Sequence, residues 1–288
     1  NKAIQNKADE IIPCIGCNIC NGRSSSPEVI CFLNPFTGKE YKWKVDTGKT
    51  EKKIAVVGNG ITGYHLSILL KQAGHQVTIF PDPTIPFGGL TALRANVPVQ
   101  SKDLRNVLNF YSNMIEKYDV NVETLDILQE DNYDLVINTM VKLVENEAID
   151  IPWSQQIKES LIGSQVVQMD AIEILMGDIP KTKRVHIIGG NLLGCETAAF
   201  LADKGFQVTV VEEKKRVPYD TGNTILKLIR DEFAHQGVEI KRPSEMISFE
   251  HDTTVVWPTY PNTYEILGKG LISSNSIPLI EIGDSYLP

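Results

Sequence analysis

The sequence predicts an α/β fold: a three-layer Rossmann-like domain interrupted by a second, smaller Rossmann-like domain, with a cysteine-bearing loop segment in front. Three observations predict it. A short apolar strand runs into a glycine-rich turn and then a helix pattern between Ile54 and Ala73. The same order returns between Val185 and Lys204. Ahead of both, Cys14, Cys17 and Cys20 crowd into one short stretch, and Cys31 follows.

A chain of 288 residues is long enough for two domains, or for one domain interrupted by another. The net charge is -8 and both signs are interspersed, which argues against a nucleic-acid or anionic-membrane partner. No apolar run approaches a membrane span. No signal-peptide pattern opens the chain, and its first residue is Asn1 rather than Met. The chain therefore reads as a mature or excised piece of a cytoplasmic protein. Of its 5 cysteines, four lie in the early motif and Cys195 stands apart. That usage suits a metal site in a reducing compartment, not a disulfide framework.

Thiolates two residues apart can each reach a different iron of one cubane, because the backbone between them can curl around it. Gly16 keeps that curl open, and backbone N–H groups can point at the sulfides. Cys14, Cys17, Cys20 and Cys31 together would complete a [4Fe–4S] cluster. Zinc and a disulfide are the competing readings. Zinc prefers two separated pairs of cysteines, and a disulfide needs an oxidising compartment.

Residues 21–50 are rich in Ser, Pro, Gly and Lys and read as loop. Ile54–Val57 is a buried strand that enters Gly58-Asn-Gly60-Ile-Thr-Gly63. Leu66, Leu69, Leu70 and Ala73 give the next helix one apolar face, and Val77–Phe80 is the following strand. This is a βαβ unit with the dinucleotide fingerprint in its first turn. Gly58 permits the tight turn, Gly60 lets backbone approach a pyrophosphate, and Gly63 lets helix and strand pack closely. The helix N-terminus supplies N–H groups and a positive dipole end. The acid expected at the end of the second strand is replaced by Pro81. Asp82, one residue late, would reach a ribose if the strand end bulges; otherwise it starts a turn.

A proline-rich loop then closes on Gly88-Gly89. Residues 101–117 form an amphipathic helix pattern, Leu135–Ile137 a buried strand, and residues 141–180 a connection with one short helix from Asp170 to Met176. Val185–Ile188, Gly189-Gly190-Asn191-Leu-Leu-Gly194 and a helix from Cys195 repeat the first pattern. Val208–Val211 leads to Glu212 in the ribose-binding slot. Gly189, Gly194 and Glu212 are candidate NAD-binding residues, but Asn191 replaces the second fingerprint glycine and should crowd the pyrophosphate. The two readings are a nucleotide site and a retained fold with an empty site. NAD(H) is expected to bind weakly or not at all. Cys195 reads as a buried small hydrophobe. A helix over 222–236 and strands at Val238–Ile240, Thr254–Trp257 and Leu279–Ile282 complete the pattern, before Gly283-Asp284.

In this order the motifs resemble the carboxy-terminal region of the flavoprotein family of trimethylamine dehydrogenase, 2,4-dienoyl-CoA reductase and the enoate reductases. The resemblance runs through Cys14-Ile-Gly-Cys17-Asn-Ile-Cys20, Asn34-Pro35, Gly58 to Gly63, Gly88-Gly89, Gly189 to Glu196 and Ile282-Gly283-Asp284. It implies a cluster on Cys14, Cys17, Cys20 and Cys31. It implies FAD, or ADP without a flavin, at Gly58, Gly60, Gly63, Gly89 and Asp284, and NAD(P)H at the second turn in the reductase branch. The family places an FMN-bearing (β/α)8 barrel ahead of this region, so FMN is expected only in such a barrel domain or subunit. The expected organisation is a [4Fe–4S] segment over 1–50, a FAD-type domain over 51–145 and 265–288, and an inserted NAD(P)-type domain over 146–264. The expected role is electron transfer within an iron–sulfur flavoprotein oxidoreductase. Its partner would be the barrel, or an electron-transfer protein such as a flavoprotein or ferredoxin. The alternatives are an NAD(P)H-dependent flavin reductase module and a non-catalytic ADP-binding docking domain. No residue reads as a general base or nucleophile.

Overall fold

The computed structural model describes residues 2–22, 29–42, 45, 47, 50–99, 101–140, 152–246, 249–258 and 279–281. Asp284 and its neighbours lie outside the described residues. The chain divides into two compact units: residues 1–92, 102–142 and 263–288 in one, 93–101 and 143–262 in the other.

In the first unit, a short helix α1 (Ile19–Gly22) follows the cysteine loop. Strand β1 (Lys53–Val57) leads into α2 (Ile61–Gln72), and β2 (Gln76–Phe80) follows. After α3 (Leu90–Arg94) come α4 (Ser101–Lys117), β3 (Asn121–Val122) and β4 (Leu135–Asn138). Among the described residues the sheet is parallel in the order β10-β4-β1-β2-β3, where β10 is Leu279–Glu281. The alternation along β1 explains its place at the centre. Val56 faces α2, since a Cβ on Gly63 would stand 3.7 Å from Val56 Cγ1. Ala55 and Val57 face the other way and pack with Phe80, Val136 and Met140 under Leu125, Leu128 and Tyr133. A strand apolar on both faces needs cover on both.

In the second unit, α5 (Pro152–Leu161), β5 (Val167–Asp170) and α6 (Ala171–Met176) precede β6 (Arg184–Ile188) and α7 (Leu192–Asp203). Then come β7 (Gln207–Val211), α8 (Asn223–Gln236), β8 (Glu239–Lys241) and β9 (Thr253–Trp257). The sheet is parallel in the order β5-β9-β6-β7-β8. Ile188, Val211 and Val255 pack against Ile157 and Leu161 of α5, while α7 lies against β6, β7 and α8. The segment 141–180, read from sequence as a connection with one helix, therefore supplies a covering helix and an edge strand of this sheet. Its α5 is amphipathic but short, and its β5 is half exposed, so neither carries a strong periodic signal.

Candidate functional site

The first glycine turn is held from outside by a loop. Gly58 takes φ 134, a conformation that side chains disfavour, and its N–H donates to Phe80 O at 3.0 Å. Asn59 is buried and faces the loop after β2: its Nδ2 donates to Asp82 O at 3.2 Å and to Ile85 O, and its Oδ1 accepts from Tyr64 Oη at 2.6 Å. Gly88 N donates back to Asn59 O at 2.9 Å. Gly60 and Gly88 form a parallel bridge, and a Cβ on Gly89 would stand 3.2 Å from Gly60 Cα. Gly89 is thus needed where two backbones meet. Sequence reading missed Asn59, whose amide joins the turn to the loop; a single Asn between glycines carries no signature of that role.

Gly60 stands at the N-cap of α2, with no side chain to cap it and nothing within 4 Å of a Cβ placed there. That open space beside a helix N-terminus fits a phosphate group. Gly63 is packed: a Cβ there would lie 2.8 Å from Thr139 Oγ1, which donates to Val57 O at 2.9 Å. Asp82 Oδ1 accepts from Thr84 N at 2.8 Å and from Thr84 Oγ1 at 2.6 Å, so it closes a turn.

The cysteine loop lies in the same unit. It turns twice through the left-handed region, at Gly16 (φ 66) and Asn18 (φ 61), which curls the backbone between Cys14, Cys17 and Cys20. Gly16 N–H donates to Cys14 Sγ at 3.3 Å. The Cys17 thiol is pushed up, first by burial; the Ile19 N–H acts against this, and Cys31, Cys14 and Cys20 push it further up. Among the described residues no three His, Cys, Asp or Glu side chains gather closely enough to hold a metal ion. Buried Ile15 and Leu33 anchor the segment. Lys117 at the end of α4 binds Asp9 at 2.6 Å and Glu10 at 3.0 Å. Tyr111, also on α4, has its phenol pushed up by burial and then by Cys31, and it shares a 3.1 Å hydrogen bond with His65 Nδ1. Of these supports only Tyr111 was legible, as part of the helix periodicity.

The second turn is built differently. Asn191 is the N-cap of α7, 3% exposed; its Oδ1 accepts from Gly194 N at 2.8 Å and its Nδ2 donates to Pro258 O at 2.9 Å. The side chain folds inward and caps the helix. Glu212 is also buried: Oε2 accepts from Gly190 N at 2.8 Å and Oε1 from Lys214 N at 2.9 Å. Gly194 has no room for a side chain, since a Cβ would stand 2.4 Å from Gly189 O. Cys195 is fully buried, and its thiol is pushed well up by burial and then by Asp220, Glu196 and Glu212.

Two parallel sheets, each feeding its central strand into a glycine turn and a helix, define a module of the flavoprotein oxidoreductase class. Residues 184–257 match the pyridine nucleotide-disulphide oxidoreductase family. The chain is 27% identical over 214 residues to cinnamate reductase of Clostridium sporogenes, covering 74% of this chain and 31% of that protein. It is 27% identical over 228 residues to NADH oxidase of Thermoanaerobacter brockii, covering 76% of this chain and 34% of that protein. The fold of a 2-naphthoyl-CoA reductase superposes with TM-score 0.78 at 21% identity, over 98% of this chain and 45% of that one. Over about three quarters of its length the chain is similar to these flavoprotein reductases and oxidases. It spans about a third of the length of these curated relatives.

Proposed function

We propose that the chain is the electron-transfer module of an iron–sulfur flavoprotein oxidoreductase. Cys14, Cys17, Cys20 and Cys31 would hold a [4Fe–4S] cluster, and Gly58, Gly60, Gly63 and Gly89 would hold FAD, with Asp284 joining them. The cluster supplies single-electron transfer and the flavin couples one- and two-electron chemistry. An FMN-bearing barrel, as a domain or a partner chain, would bring the substrate chemistry, and a soluble electron-transfer protein is the other exchange partner. The feature that carries this reading is the curled loop bearing Cys14, Cys17 and Cys20, followed by Cys31, in the same unit as the open Gly60 turn.

The chain's own residues have definite tasks here. Gly16 directs its N–H at Cys14 sulfur and Ile19 its N–H at Cys17, which would stabilise thiolates able to hold a cluster. Ile15 and Leu33 of the same segment are buried. Asn59 and Tyr64 fix the glycine turn, with the Phe87 ring tilted against the Tyr64 ring at 4.4 Å between centroids. Gly189, Gly194 and Glu212 serve the packing of the second turn.

Purified anaerobically, the protein should contain about four iron and four sulfide per chain, as four thiolates imply. Cys17→Ala should lose most of the iron, and Cys195→Ala should keep it. Zinc in place of iron, or iron undiminished in Cys17→Ala, would remove the cluster reading. A flavin spectrum after denaturation separates FAD from ADP in the first turn.

A further inference from the structure

The second glycine turn is filled by the chain's own polar side chains. Three of its N–H groups donate to the chain's own side chains: Gly190 to buried Glu212 Oε2 at 2.8 Å and Gly194 to buried Asn191 Oδ1 at 2.8 Å, while Leu192 donates at 2.7 Å to Oδ1 of Asp220, which lies at the surface. The segment after β7 lies over the turn. Tyr219 N donates to Gly190 O at 3.2 Å, and Val217 Cγ1 stands 3.1 Å from where a Cβ on Gly190 would be. Lys214 sits 3.5 Å from the Tyr219 ring centroid, its charge turned to this same segment. The contrast with the first turn is direct. There the helix N-cap is a glycine with open space beside it; here the N-cap is a side chain that bonds its own helix.

We propose that this unit is closed to NAD(H) and NADP(H), and that Asp220 is the residue that closes it, its carboxylate standing in for a pyrophosphate oxygen on the Leu192 N–H. A helix N-terminus binds phosphate through its N–H groups and its dipole. A carboxylate carried on the same chain meets those groups at a high effective concentration, and an incoming dinucleotide must displace it. Charge opposes the exchange as well. Asp220, Glu196 and Glu212 all act on Cys195 in the first turn of α7, and a pyrophosphate would add negative charge to that group. Glu196 is neutralised by Arg94 at 2.7 Å, but the acceptors on the turn itself are Glu212 and Asp220. Hydride delivery from a pyridine nucleotide at this unit is then blocked, whatever the cysteine loop and first turn hold.

The test is calorimetric titration of the whole chain with NAD+, and of the anaerobic chain with NADH and NADPH. Wild type should show no binding up to millimolar cofactor. Asp220→Ala should bind at least about tenfold more tightly, and the gain should persist in a Gly60→Val background, which places it at the second turn. If Asp220→Ala loses its thermal transition, the near-isosteric Asp220→Asn carries the test with a smaller gain of the same sign. Micromolar binding by wild type, no gain in either variant, or a gain that vanishes with Gly60→Val would each overturn the proposal. Iron content plays no part in this readout, so its outcome is separable from that of the cluster reading.

Discussion

A methyl group on Gly58 would stand 2.5 Å from Thr139 Oγ1, on Gly63 2.8 Å from the same atom, and on Gly60 within 4 Å of nothing. The three glycines of one motif are thus separable by experiment. Gly60→Val should leave the denaturation midpoint nearly unchanged and abolish nucleotide binding, because the added side chain enters only the space where phosphate would lie. Gly58→Ala should cost about 1–3 kcal/mol in urea denaturation, from a clash and a disfavoured φ of 134 together. Gly60→Val that unfolds the chain, or binds nucleotide unchanged, would put the ligand elsewhere. The glycine spacing was legible in the sequence because steric demands at a tight turn admit little else. The direction of a polar side chain was not. Asn191 reads from sequence as an obstruction projecting outward and proves to be a helix cap, because its amide finds two inward partners. Asp220, distant from the motif, gave no signal at all.

Elements with a long apolar period were the legible ones. The helix expected over 101–117 is α4, Ser101–Lys117, since Leu104, Val107, Tyr111 and Met114 share one buried face. The strands flanking each glycine turn are also where the apolar runs place them. β3 has two exposed residues and α3 five residues in all, too few for a period to show. α6 is six residues long and depends on its ends. Asp170 Oδ1 accepts from Ile172 N at 2.7 Å, and Glu173 Oε2 accepts from Asp170 N at 3.2 Å, a reciprocal capping box. Gly177 at φ 118 closes the other end. Asp170→Ala should lower stability by about 1 kcal/mol, read as a shifted denaturation midpoint. An unchanged midpoint would mean that packing of α6 on α7 holds this helix without its cap.

For the molecule as a whole, acid is the condition to examine. The His65 imidazole is held down to about 4 by burial, with Lys2 adding to the effect, and its Nε2 is buried without a partner among the described residues. Between the ordinary value of 6.5 and about 4, the unfolded chain binds a proton that the folded chain refuses. Stability is therefore full above 6.5 and falls as pH drops through that window, by roughly 1.4 kcal/mol per pH unit from this one group. Denaturation midpoints measured across the window should slope downward toward acid, and His65→Phe should flatten the slope. A wild-type midpoint that is level over this range would show that His65 accepts its proton in the folded state. The repeated glycine motif occurs once in each of the two compact units. An accompanying barrel could be inferred only from the family resemblance, because nothing in these residues encodes one.

The attachment of the cysteine segment to α4 has an engineering consequence. Lys117 grips Asp9 and Glu10 at one end of the helix, and Tyr111 lies under the influence of Cys31 a turn and a half earlier. Transplanting the thirty-odd residues around the thiols onto another dinucleotide fold would therefore leave them without their mooring. The portable part is discontinuous in sequence: the loop together with the second half of α4, moved as one graft.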